Sequence, residues 1–140
     1  MISAVWDTNV LASGTVSALN APGQILNAWR SGPFMLVTSE HIINELEYVF
    51  QKPYFQKYMN NGQIDAFIDL LRNEALVTPV TVKVHDIATH SEDDLTLATA
   101  LSAKANYLVT GDQPLLHKVG NIYQGIKLLT PNEFLKSFTY

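Results

Sequence analysis

Short apolar runs alternate along the chain with longer segments of helical spacing. The apolar runs, which we interpret as buried strands, cover residues 2–6, 33–39, 106–112 and 126–130. The helical segments cover residues 22–30, 40–53, 62–75, 90–105 and 131–138, with a short helix or turn at 113–119. Within the strands the apolar residues are continuous, as is typical of strands buried on both faces. This order predicts an α/β fold with a mainly parallel sheet covered on both sides.

Residues typical of helix and strand ends mark several of these boundaries. Gly32 stands where the first long helix is expected to end. Ser39 is a candidate N-cap for the next helix, which Pro53 is expected to stop. The β-branched segment 76–82 is interrupted by Pro79, so it is predicted to be a strand or an extended segment at the sheet edge.

The length and composition are those of one globular domain covering residues 1–140. Apolar residues make up 47% of the chain and charged residues 16%, which favours a packed core over disorder. The chain has no cysteine, so disulfides and thiolate metal sites are excluded. No run approaches the ~20 apolar residues of a membrane span, and no basic segment precedes the first apolar run. We therefore expect a cytoplasmic protein that does not associate with membranes.

The net charge is −4, from nine basic and thirteen acidic residues. A chain of this sign gives no support to binding of a polyanion by a broad basic surface. A nucleic-acid substrate would therefore need another source of attraction.

Two carboxylates directly follow apolar strands. Asp7 ends the first strand in the sequence AVWD, and Asp112 ends the strand that reads LVTGD. Ligands of an open parallel sheet bind outside the carboxyl ends of its strands, so both acids are expected at one edge. The alternative is that each acid only caps the helix that follows it, which Asp does well.

Two further acids lie toward the apolar sides of helices. Glu45 is at the border of the apolar stripe of its helix, and Asp94 begins the inward stripe of a later one. Burial of a carboxylate costs several kcal/mol unless it is paired or bound to a metal. The alternatives are an ion-paired Glu45 and a capping box formed by Ser91 with Asp94. Asp93 is a second candidate for any role of Asp94.

The acids Asp7, Glu45, Asp94 and Asp112 together predict a metal site. Several unpaired carboxylates in one crevice would repel each other, so the cluster needs a cation. Ligands that are all oxygen suit Mg²⁺ or Mn²⁺ and not zinc. Such ions activate water and stabilise the leaving oxygen in phosphodiester hydrolysis. The rest of the chain is neutral without these four charges, and a bound cation would attract a phosphate.

These acids stand in motifs that resemble the PIN-domain family of metal-dependent ribonucleases, and more narrowly the toxins of bacterial VapBC-type toxin–antitoxin pairs. The motifs are, in chain order, VWDTNVLAS, TSEHIINELEYVF, EDDLTLATALSAKANYLVTGD and IKLLTPNEFL. They span nearly the whole chain, and their ordered set is more specific than any one of them.

The resemblance implies a three-layer α/β/α fold and a Mg²⁺- or Mn²⁺-dependent endoribonuclease that hydrolyses RNA. It implies a cognate antitoxin and a homodimer as well. Carried over residue by residue, the catalytic metal ligands are Asp7, Glu45, Asp94 and Asp112. The family also has polar positions beside the acids, which would orient carboxylates or metal-bound water. In this chain they are matched by Thr8, Asn9 and Thr110.

One position departs from the family pattern and keeps a second hypothesis open. The family often has a further Asp two residues after GD, where this chain has Pro114. We therefore expect one metal at rest and a second that arrives with the RNA phosphate. The second hypothesis is a PIN-like binding module with little nuclease activity, acting through an antitoxin or an RNA-processing partner. A third, a hydrolase of small phosphoesters, lacks both a glycine-rich phosphate loop and a basic clamp near the acids.

The histidines and the central aromatic residues receive no catalytic role. No two histidines have the spacing of zinc ligands. We therefore interpret all four as surface or capping residues: His41, His85, His90 and His117. The chain also has an aromatic-rich stretch that comprises Tyr48, Tyr54, Phe55 and Tyr58. For this stretch we favour ordinary packing over contact with RNA bases or a partner helix.

Overall fold

A computed structural model describes residues 1–84 and 91–138, with the backbone alone for residues 91–93. Its strands are β1 (Ser3–Trp6), β2 (Met35–Thr38), β3 (Leu76–Val77), β4 (Tyr107–Val109), β5 (Ile122–Tyr123) and β6 (Ile126–Leu129). Its helices are α1 (Thr8–Gly14), α2 (Ala21–Ser31), α3 (Glu40–Phe50), α4 (Pro53–Gln56), α5 (Asn61–Glu74), α6 (Ser91–Ala103), α7 (Gln113–Val119) and α8 (Pro131–Lys136). None of the described helices is long and apolar enough to cross a membrane.

The six strands form one sheet in the order β3-β2-β1-β4-β6-β5. All neighbours are parallel except β5, which runs antiparallel to β6 at one edge. In the inner strand β1, Val5 is in register with Val37 of β2 and Leu108 of β4. The parallel strands therefore present their carboxyl ends at a common edge, where ligand sites of such sheets lie.

Helices cover both faces of the sheet. Every residue of β1 is buried, and successive side chains of a strand point to opposite faces. The indole of Trp6 packs against Phe34 and against Phe134 of α8, with ring centroids 5.8 and 6.4 Å apart. Helix α6 packs across β1, β2 and β4. The expected three-layer α/β/α fold with a mainly parallel central sheet is confirmed.

Most predicted element ends agree with the structure. Gly32 ends α2 with a left-handed φ of 88°, a conformation that glycine adopts without a steric penalty. The hydroxyl of Ser39 caps α3 by accepting from the Ile42 N–H at 3.5 Å. Helix α3 ends at Phe50, and Pro53 opens the short helix α4 instead of terminating α3.

Three elements were absent from the sequence prediction, and each predicted strand is shorter in the structure than the apolar run that predicted it. The missed elements are α1, α4 and β5. Helix α1 has no polar stripe because it is buried on several sides, so its sequence shows no helical alternation. Of the segment 76–82 only Leu76–Val77 pairs with β2, and this segment forms the edge of the sheet, as one of the two predicted alternatives stated.

Candidate active site

Asp7 lies directly after β1 and is only 6% exposed. Its backbone N–H donates to the carbonyl of Val109 at 3.0 Å, which holds it against the end of β4. Its Oδ1 accepts from the Val10 N–H at 2.8 Å and so caps α1. Its Oδ2 accepts a hydrogen bond from the Thr110 hydroxyl. The capping role considered from the sequence is therefore real, but it occupies only one of the two carboxylate oxygens.

Thr110 joins the acids at the ends of two neighbouring strands. Its hydroxyl donates to Asp7 and accepts from the backbone N–H of Asp112 at 3.0 Å. Asp112 is half-buried, and its Oδ1 caps α7 by accepting from the Leu115 N–H at 3.1 Å. Both acids line a cleft of about 260 Å³, whose other walls are Asn9, Val10, Ser13, Pro22, Gly111 and Pro131.

Burial raises the pKa of the Asp7 carboxyl from 3.8 to about 6. Hydrogen bonds from Thr110 and from the Val10 N–H lower this pKa, whereas the negative charges of Asp112 and Glu45 raise it further. The increase in pKa caused by burial is larger than the decrease caused by the hydrogen bonds. Two more of the predicted site acids thus lie near enough to Asp7 to act on its charge.

Glu45 lies half-buried on α3 beside a histidine. Its Oε2 is 3.8 Å from Nε2 of His41, one helical turn earlier. That ring nitrogen is buried and has no hydrogen-bond partner in the part of the chain that the structure describes. His41 therefore faces the acid, which the interpretation as a surface or capping residue missed. The available signal was the spacing of four residues, which places both side chains on one helix face.

Of the remaining histidines, His117 is the one that the structure describes, and it adds nothing to the site. His117 is exposed in the last turn of α7. His85 and His90 lie outside the described residues.

Asp94 is buried in the first turn of α6, with 8% of its surface exposed. The side chains of Ser91 and Asp93 lie outside the described part of the chain. The choice of Asp94 over Asp93 and the Ser91 capping box both stay predictions.

A buried pair of hydroxyls connects the helices of Glu45 and Asp94. The hydroxyl of Thr99 on α6 donates to the Leu95 carbonyl at 2.8 Å. It therefore accepts from the hydroxyl of Ser39, the N-cap of α3, at 3.0 Å. This bond fixes the first turn of α3 against α6.

The atoms of Asp7 and Asp112 that could bind a metal are carboxylate oxygens, which suit a hard divalent cation. Among the side chains that the structure describes, those of residues 1–84 and 94–138, no group of three or more His, Cys, Asp or Glu is arranged to hold a metal ion. A cation held at Asp7 and Asp112 would complete its shell with water, as Mg²⁺ commonly does. Asp7 fits such a cation site, because its raised pKa reflects a buried carboxylate whose negative charge is not balanced.

Comparisons with known proteins agree with this architecture. The search of the curated proteins finds no match to the chain. Among solved structures, the chain is similar to the crystal structure of VapBC2 from Rickettsia felis bound to a DNA fragment from their promoter. The TM-score is 0.62 at 13% sequence identity, with 92% of this chain and 98% of that chain covered. At that identity the likeness shows the fold alone. The family model of the PIN domain matches residues 3–114, so the chain belongs to the PIN-domain family.

Proposed function

We propose that this PIN-domain protein is a Mg²⁺- or Mn²⁺-dependent endoribonuclease and the toxin of a VapBC-type toxin–antitoxin pair. PIN domains are generally nucleases, so the family supports hydrolysis of a phosphodiester. The single observation that carries the proposal is Asp7, a buried carboxylate at the carboxyl end of the inner strand β1. Its pKa is raised to about 6, and two other acids act on its charge. A fold that only needed a helix cap would not need this arrangement.

In this proposal Asp7, Glu45, Asp94 and Asp112 would hold the cation, either directly or through water bound to it. When bound, the cation would supply an activated water and stabilise the leaving oxygen. Thr110 orients Asp7, because its hydroxyl binds one carboxylate oxygen while the Val10 N–H binds the other. The same hydroxyl accepts from the backbone of Asp112. The chain thereby fixes two acids relative to each other before any substrate arrives, which is the preorganisation that catalysis requires.

Pro114 stands in the first turn of α7. A proline is well tolerated there, because the first-turn N–H groups have no partner within the helix. The helix start can thus accommodate a proline where the family pattern often has a fifth acid. The expectation of one resting metal, with a second that arrives with the RNA phosphate, remains part of the proposal.

The proposed protein partner is a cognate antitoxin. The motif resemblance supports it, and so does the likeness in fold to VapBC2. A homodimer and a cytoplasmic location belong to the same proposal. Copurification of this chain with the product of the adjacent reading frame tests the antitoxin directly.

The catalytic proposal is tested by Asp7→Asn, which preserves the shape of the side chain and removes its charge. Loss of a ligand should cost at least as much as loss of a residue that only orients one, about 100-fold in cleavage rate. The measurement is the initial rate of cleavage of labelled RNA with Mn²⁺, and with EDTA as the metal-free reference. Asp65→Asn is the matched control, because Asp65 is exposed on α5, and it should cleave at the wild-type rate.

Retention of full metal-dependent activity by Asp7→Asn contradicts this assignment of the site. A wild-type protein that is inactive on several RNAs with Mn²⁺, yet binds the antitoxin, supports the binding-module hypothesis instead.

A further inference from the structure

Three exposed tyrosines lie in the segment that begins one helical turn after Glu45. The rings of Tyr54 and Tyr58 are in contact, and Lys52 lies between Tyr48 and Tyr54 in the chain. We call the surface made of Tyr48, Tyr54 and Tyr58 the tyrosine face. The exposed fractions of the three residues are 71%, 54% and 49%. The interpretation of the stretch as ordinary packing holds in part for Tyr54 and Tyr58, because Tyr54 packs on Phe55 and on Tyr58. It is wrong for Tyr48, the most exposed of the three. Aromatic rings in water are available for stacking on a ligand.

The tyrosine face continues directly from the candidate active site. Glu45 and Tyr48 are three residues apart on α3, so they lie on the same side of the helix. The helical rise separates them by only about 4.5 Å along the axis. Lys52, two residues beyond the end of α3, places its Nζ 5.9 Å from the centre of the Tyr48 ring. A strand of ligand that leaves the acid would thus meet an aromatic ring and then a cation.

The end of the tyrosine face that contains Tyr54 and Tyr58 rests on the protein core. Phe55 of α4 is half-buried and packs edge-on against the fully buried Phe50, with ring centroids 5.9 Å apart. The side-chain amide of Gln56 donates to the carbonyl of Phe50 at 2.6 Å. The rings of Tyr54 and Tyr58 lie 5.5 Å apart and support each other. A surface held in this way loses little conformational entropy when a ligand binds.

The local charge is opposite to that of the whole chain. Residues 48–64 contain two lysines, Lys52 and Lys57, and no acid, whereas the chain as a whole carries −4. The neighbouring Glu47 is engaged on the side of α5, where its carboxylate lies 3.9 Å from Nη2 of Arg72. Exposed aromatic rings between lysines are the combination that binds single-stranded nucleic acid.

We propose that the tyrosine face is a binding site for unpaired bases of single-stranded RNA, with Lys52 at a backbone phosphate. The identity of the ligand rests on the proposed nuclease function. A strand bound in this way would extend from the acidic site, and the lysines would supply the local attraction that the acidic chain otherwise lacks. Paired RNA would bind poorly, because its bases are already stacked within the duplex.

Binding of a short, unstructured, labelled RNA tests the proposal by fluorescence anisotropy in EDTA, so that no cleavage occurs. Tyr48→Ala should raise the Kd about tenfold, which is the effect of losing one stacked base. Tyr48→Phe should leave the Kd within about twofold, because stacking needs the ring and not the hydroxyl. Leu19→Ala is the control for an exposed apolar side chain, since Leu19 is 86% exposed, and its Kd should equal that of the wild type. Equal Tm values for all variants exclude a folding defect.

The proposed contact between Lys52 and an RNA phosphate is tested separately, by the salt dependence of the Kd. Lys52→Gln should reduce the slope of log Kd against log salt by about 0.7, the value for one phosphate contact to a single strand. Lys136→Gln on α8 makes the same change in charge and should leave the slope unaltered. A Tyr48→Ala protein with the wild-type Kd and a Lys52→Gln protein with the wild-type slope overturn the proposal.

The outcome does not depend on the catalytic test, because binding is measured without cleavage. If Asp7→Asn retains activity while Tyr48→Ala weakens RNA binding, the catalytic assignment fails and the tyrosine face stands. If Asp7→Asn is inactive while Tyr48→Ala binds RNA normally, only the tyrosine face fails.

Discussion

At the scale of the residue, Asp7 combines a structural and a proposed chemical role that oppose each other. Its capping bond to the Val10 N–H and its bond from Thr110 stabilise the carboxylate. Burial and the charges of Asp112 and Glu45 destabilise it by more, so its pKa is raised to about 6. The folded protein therefore holds a charge that it would be more stable without, unless a cation is bound.

This conflict predicts how stability depends on pH in EDTA. Well below pH 3.8 the carboxyl is protonated in both the folded and the unfolded chain. As the pH rises from 3.8 to about 6 the unfolded chain loses this proton first, so the free energy of unfolding falls. The total loss for this group is about 3 kcal/mol above pH 6. Urea unfolding of the wild type and of Asp7→Asn at several pH values isolates the effect, because only the wild type carries the titrating group.

The free energy of unfolding of Asp7→Asn should therefore rise relative to that of the wild type between pH 4 and pH 7. The exposed substitution Asp65→Asn serves as the control and should follow the wild type. A constant difference between Asp7→Asn and the wild type across this range would show that burial does not shift the pKa of Asp7.

At the scale of the element, α3 and α6 are positioned by one buried hydrogen bond between their hydroxyl groups. Ser39, which is 1% exposed, caps α3 and donates to Thr99 of α6. These two helices carry Glu45 and Asp94. The relative placement of two proposed ligands therefore depends on a contact more than a full turn away from either of them along each helix.

Ser39→Ala should lower the free energy of unfolding by about 1–2 kcal/mol, because it removes both the helix cap and the hydroxyl pair. Thr99→Val removes the pair and leaves the cap. In a double-mutant cycle from urea unfolding we expect a coupling energy of about 1 kcal/mol between the two positions. Additive effects would mean that the two hydroxyls contribute independently, and the α3–α6 contact would then need another explanation.

The elements that could be predicted from the sequence are those with one clear pattern. Continuous apolar runs located the inner strands, and the βα order located Asp7 and Asp112 at one edge. Helix α1 escaped because its burial on several sides removes the polar stripe. The environment of His41 and the exposure of Tyr48 depend on how α3 packs against its neighbours, and local spacing does not specify that packing. The choice between Asp93 and Asp94 as the ligand could not be made from the sequence for a different reason: the two neighbouring side chains have the same chemistry.

At the scale of the whole molecule, the net charge of −4 and the proposed cation site at Asp7 predict that a divalent cation stabilises the folded protein. A ligand that binds only the folded state stabilises it by about 2.7 kcal/mol at a concentration 100 times its Kd. Saturating Mn²⁺ should therefore raise the wild-type Tm by several degrees. Thermal unfolding of Asp7→Asn at the same ionic strength should show little rise, and Asp65→Asn should behave like the wild type. An equal rise in all three proteins would place the bound cation elsewhere.

The family match ends at residue 114, but the hydrophobic core continues beyond it. Strand β6 is the partner of β4, and Phe134 of α8 packs on Trp6 of the inner strand. The carbonyl of Leu129 in β6 also accepts from the backbone N–H of Thr110 at 2.9 Å, and the Thr110 hydroxyl bridges the two strand-end acids. A deletion drawn at the boundary of the family match would thus remove β5 and β6 from the sheet and release Thr110, the residue that aligns Asp7 with Asp112. Chimeras between PIN proteins should exchange residues 107–136 as one unit, so that the three strands β4, β5 and β6 and the closing helix α8 come from the same parent.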